Sequence, residues 1–159
     1  MNRAVGLVGA AGAIRPEERE AAGQLGAVVW MIASLSVIAM AIAMPASEVD
    51  RTATIALGAA GCLWGLLSGL LLDYRRLPAW LIHVSALGGL AAIAVADELS
   101  GGARSPAWAC LFYVVVFAAY FFKPVAAAAY FLACVAVQLA VVVDAPSAIR
   151  QEAIAKLAV

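Results

Sequence analysis

The chain has 159 residues, 66% of them hydrophobic and 13% charged, with a mean hydropathy of +1.01. Soluble domains are about half apolar and a quarter charged, which excludes this chain from their class and leaves an integral membrane protein. Formal net charge is zero, and no basic stripe points to nucleic acid.

Ala, Leu and Val dominate and strict alternation is absent, so the expected fold class is an all-α, polytopic transmembrane helical bundle rather than a barrel. Cys62, Cys110 and Cys134 all sit in apolar runs. Their odd number and setting suit small hydrophobes in helices rather than a disulfide framework.

Residues 1–24 are expected to form a cytoplasmic N-terminal tail. The stretch "AVGLVGAAGAI" after Arg3 is weakly apolar and rich in glycine, and is read as tail rather than as a cleaved signal peptide. Pro16 is placed to open a short polar helix, with Glu17 and Glu18 near its positive end.

A transmembrane domain is predicted over 25–143. Its first span, near 25–44, ends at Pro45. The second, near 54–72, carries Gly58, Gly61, Gly65 and Gly69 on one helical face. Small residues let helix backbones approach closely in lipid. Ala129, Ala133, Ala136 and Ala140 offer a matching face on the fifth span. These eight residues are expected to pack helices, within the bundle or across a homodimer. The plainer reading is that Gly and Ala are simply abundant.

After "DYRRLP" (73–78), whose Arg75 and Arg76 are topology determinants, the third span runs near 79–96. His83, the only histidine, lies one turn inside it. Intramembrane ionisable groups are functional candidates by default. A haem site wants a second axial ligand or a shaped pocket, and no second His exists, so His83 is expected to bond a backbone carbonyl. Asp97 and Glu98 follow and are expected in a solvated loop.

Residues 107–143 as one helix would measure roughly 55 Å, too long for one crossing of ~30 Å of hydrocarbon. Pro124 lacks an amide hydrogen and disfavours helix at Lys123, and Lys123 is costly at the bilayer centre. Lys123 and Pro124 therefore mark a tight turn at the membrane surface between a fourth span near 107–122 and a fifth near 125–143. Gln138, within the fifth, is expected to make an interhelical polar contact, with a ligand pocket as the alternative. Ser34, Ser36, Ser68 and Ser85 are expected to bond back to their own helices. Residues 144–159 read as an interfacial segment, capped at Ser147, that leads into a sixth span missing or cut from this chain.

Counting positive charges orients the bundle. With the N-terminus cytoplasmic, Arg3, Arg15, Arg19, Arg75, Arg76 and Lys123 lie inside, and Arg51, Arg104, Arg150 and Lys156 outside. Trp80, Tyr74, Tyr120, Phe121 and Phe122 are expected at the inner interface and Trp108 at the outer one. No Walker, HExxH or CxxC motif is present. Hence no catalytic residue, metal ligand or cofactor is predicted.

Three stretches carry a resemblance: "LGAVVWMIASLSVIAMAIAMP", "DYRRLPAWLIHVSALGGLAAIAVA" and "ARSPAWACLFYVVVFAAYFFKPVAAAAYFLACVAVQLAVVV". Together they resemble the N-terminal multi-span membrane region of bacterial, especially actinobacterial, diguanylate cyclases of the GGDEF class and related membrane sensors. The resemblance covers about residues 24–159. It implies six helices in the inner membrane, a homodimer, and a cytoplasmic output domain in cis that makes cyclic di-GMP. The GGDEF signature is absent, and "SGGARS" is not a version of it, so no catalytic residue carries over. The alternatives are a small transporter or channel subunit, and a membrane scaffold.

Overall fold

A computed structural model describes residues 16–144, apart from 46 and 48. All regular structure among the described residues is helical. Five α-helices follow in order: α1 (Pro16–Ala43), α2 (Arg51–Leu71), α3 (Trp80–Leu99), α4 (Leu111–Phe121) and α5 (Pro124–Asp144). Among the described residues, α1, α2, α3 and α5 are long and apolar enough to cross a membrane, and Pro106–Phe121 is a shorter apolar helix. The expected 1–15 part of the tail and the segment 145–159 with its sixth span lie outside the described residues.

Local chemistry explains most boundaries. Pro16 opens a helix as expected, but that helix is α1 itself, which continues unbroken to Ala43. Residues 16–24 are therefore helical. The Asp50 carboxylate caps α2 by accepting from the Ala53 N–H at 3.0 Å. At the other end of that helix, Leu72 turns extended and releases the chain into the 73–79 connection. Phe122 is likewise extended, α5 starts at Pro124, and the Lys123 carbonyl accepts from the Ala127 N–H at 2.9 Å. The Lys-Pro turn is thus as tight as the sequence predicts.

The helices run alternately up and down. The α1 start and the 73–79 connection share one end, joined by the Arg75–Glu20 ion pair and by Arg19 donating to the Leu77 carbonyl at 3.1 Å. At the opposite end the Asp50 N–H donates to the Leu99 carbonyl at 3.0 Å. There Gly101, with φ of 102°, and Gly102, with φ of 59°, take left-handed conformations. Such values suit glycine, and they fold the chain back over the end of α3. A 3-10 segment, Pro106–Cys110, then leads into α4. Three residues per turn bring positions i and i+3 to one side, and Ala107 and Cys110 are the buried pair.

The core is a layer of apolar side chains from α1, α3, α4 and α5, with Val37, Leu90, Ile93, Val114, Phe117 and Tyr130 among them. The outer surface is also apolar. Leu70 and Leu71 are each 73% exposed, Phe112 68% and Val125 84%. Soluble monomers seldom expose so continuous an apolar surface, whereas a bundle solvated by lipid does so by default.

Two expectations are corrected here. Asp97 and Glu98 do not lie in a loop; both belong to the last turn of α3. Asp97 is 1% exposed, because the Gly101–Gly102 reversal lays the Ser105–Trp108 segment over it. Tyr74 and Phe122 are not surface anchors but are 6% and 8% exposed, whereas Trp80, Tyr120 and Trp108 do face outward.

Candidate functional site

The glycine face of α2 meets α1. Thr54, Gly58, Gly61, Gly65 and Ser68 are the buried positions of α2, one per turn. A Cβ on Gly65 would come within 2.9 Å of the Ala27 carbonyl oxygen and 2.8 Å of Met31 Cγ. One on Gly61 would overlap the Ser34 hydroxyl, and one on Gly58 would reach 2.5 Å from Ile38 Cγ1. Gly69 is looser, at 3.2 Å from Ala27 Cβ. The alanine face of α5 takes no part in this seam. Ala133 packs against the core, but Ala129, Ala136 and Ala140 are exposed.

Beside the seam, α1 and α2 diverge from α3 and α4 and leave a cavity of about 80 Å³. Its walls are mainly Gly, Ala, Val, Ile and aromatic side chains, and no charged residue lines it. Tyr74 stands at one end, its ring lying where a Cβ on Gly23 would be. The opposite end reaches Ala96 and Cys110.

Halfway along, Ser85 of α3 joins three helices. Its Oγ accepts from Trp30 Nε1 of α1 at 3.0 Å and from Trp64 Nε1 of α2 at 3.4 Å. The Trp30 ring lies against Gly88 and Gly89, where Cβ atoms would stand 3.6–3.7 Å away, an ordinary packing distance. Ser85 therefore departs from the expected back-bond to its own helix. Ser36 does back-bond, to the Ile32 carbonyl at 2.9 Å, and Ser68 donates to the Gly65 carbonyl at 3.1 Å. Ser34 lines the cavity and is buried. Sequence reasoning missed Trp30 and Trp64. Their legible signal was a lone indole in the middle of an otherwise aliphatic span, since a buried indole N–H needs an acceptor.

His83 lies outside the cavity, between α3 and α5. Its ring stacks on Phe122 with centroids 4.2 Å apart. Nδ1 is 3.2 Å from the Tyr130 hydroxyl, which itself donates to the His83 carbonyl at 3.2 Å. The side chain is thus held by a phenol, not by the expected carbonyl. Gln138 lies on α5, and its buried Oε1 makes no hydrogen bond among the described residues, so the expected interhelical contact is not formed there.

Arg75 and Arg76 are exposed at the connection between α2 and α3. Arg75 pairs with Glu20 and Arg76 with Asp73, the latter at 3.0 Å. The Glu20 carboxylate, through its hydrogen bond and its charge, pushes the Arg75 guanidinium above its ordinary value. Asp97 faces the Ser105 side chain and the Trp108 N–H, yet neither carboxylate oxygen makes a hydrogen bond of good geometry. Among the described residues, no group of three or more His, Cys, Asp or Glu could hold a metal. Comparison with protein-family models, curated proteins and solved structures returns no match.

Proposed function

We propose that this chain is the membrane-embedded sensory and anchoring module of a bacterial signalling protein. In this reading five helices cross the inner membrane, with Pro106–Phe121 as the fourth crossing and the N-terminus in the cytoplasm. The module pairs as a homodimer and passes a membrane-proximal signal to a cytoplasmic output domain in cis, a diguanylate cyclase.

The observation that carries the reading is the apolar cavity bounded by four helices, with Tyr74 at the end that bears Arg75. A signal arises when a ligand binds two helix arrangements with different affinities. Here the cavity is lined by α1, α2, α3 and α4, and by Tyr74 at one end. Tyr74 leads directly into Arg75, which is tied to Glu20 on α1, and Arg19 of α1 holds Leu77. A rearrangement around Trp30 and Ser85 would therefore reach the surface where an output domain would dock. Transport is less well supported, because a translocation path needs polar groups along its length and this cavity is walled by apolar side chains.

The coding sequence downstream of Val159 tests the proposal first. A further apolar span followed by a GGDEF-bearing domain is the expected result. A stop codon there would overturn the reading and favour a scaffold or transporter subunit.

A further inference from the structure

The hydroxyl of Ser85 states what the cavity would take. A serine oxygen has two acceptor positions and one hydrogen to give. Both acceptor positions are used, by the N–H groups of Trp30 and Trp64. The hydrogen has no acceptor among the described residues. Ser34, across the cavity on α1, lines the same space. Ser85, with its acceptor positions filled and a hydrogen to give, selects an acceptor.

Charge and size narrow the class further. No ionisable side chain other than Tyr74, Tyr113 and Cys110 lines the walls, so a charged guest would be desolvated without compensation. An apolar cavity of about 150 Å³ accommodates benzene, so one of about 80 Å³ holds a guest of roughly four non-hydrogen atoms.

We propose that the cavity binds a small, neutral, membrane-permeant molecule with a single hydrogen-bond-accepting oxygen, a short ketone or aldehyde, and that Ser85 donates to that oxygen. This deepens the sensory reading and rests on it only for its consequence; binding itself can be read directly.

The test uses the full chain in lipid nanodiscs, with the indole N–H groups of its four tryptophans labelled for NMR. Acetone is the probe, and isobutene, of the same shape without the oxygen, is its control. The Trp30 signal is expected to shift and saturate with half-saturation on the order of 1 mM. The exposed Trp108 should drift without saturating. Isobutene should bind at least 10-fold more weakly, and Ser85→Ala should abolish the preference for acetone. A Trp30 shift that never saturates overturns the proposal. So does equal binding of the two probes by the unaltered protein, an arm that needs no variant to fold. Failure here removes the ligand class alone, because the sensory reading answers to the downstream coding sequence.

Discussion

The α2 and α5 helices are equally long, at 21 residues each, and both carry a row of small residues, but they use them differently. On α2 the row is buried, and the backbone of α1 comes close enough that a Cβ on Gly65 would clash with a carbonyl oxygen. On α5 most of the row faces outward. Small residues permit close approach but do not compel it. What differs is the opposing surface. On α1, Ala27 and Ser34 are themselves small and in register with Gly65 and Gly61. The side chains that α5 buries, Tyr130 and Cys134 among them, belong instead to the core cluster shared with α3 and α4.

Gly65→Leu should break this contrast most forcefully. The added side chain meets backbone as well as Met31, so no rotamer change relieves it, and a loss of about 3 kcal/mol is expected. Reversible unfolding in mixed micelles measures it, and a stability unchanged from the parent would mean that the α1–α2 seam is not built as described. Ser85→Ala ranks next. It removes one acceptor from two indoles, and since such bonds are worth little in a bilayer, a loss of about 1 kcal/mol is expected. Red-shifted or quenched tryptophan emission should accompany it.

Asp97→Asn acts in the opposite direction. It replaces a buried carboxylate that lacks well-formed hydrogen bonds with a neutral isostere, so a gain of about 1 kcal/mol is expected in the same unfolding experiment at neutral pH. A loss instead would show that the carboxylate is held by bonds the geometry does not reveal. Ala136→Leu on the exposed face of α5 should have the smallest effect on the fold, within about 0.5 kcal/mol. Its use is to sharpen the comparison. If cross-linking in native membranes shows that it abolishes self-association while the monomer stays folded, the α5 row is the homodimer contact. Undiminished association removes α5 from that role.

Much of this architecture is written locally. Prolines at 16, 45, 78, 106 and 124 stand at or next to helix ends, where a missing amide hydrogen does least harm. The buried face of α2 follows from the spacing of its glycines alone. What periodicity does not carry is the identity of a partner, so the same reasoning paired Gly65 with the alanines of α5 rather than with Ala27 and Met31. Asp97 was misplaced for a related reason. A carboxylate beside a Gly-rich connection looks solvated until the left-handed glycines fold that connection back onto it. The Ser85 site joins residues 55 and 21 positions apart, a relation that no short-range pattern encodes.

The 3-10 segment ahead of α4 bears on the lipid. Its rise of about 2.0 Å per residue, against 1.5 Å in an α-helix, stretches Pro106–Phe121 to about 27 Å. By contrast α1 is about 42 Å long. The first turns of α1 are polar, however, and its apolar part, 25–43, is about 29 Å, so Pro106–Phe121 alone falls a few ångström short of ~30 Å of hydrocarbon. The membrane would thin slightly beside α4, while the polar start of α1 stands clear of it on the side of Glu17 and Glu18. Bilayer thickness itself would then press unequally on the two sides of this protein.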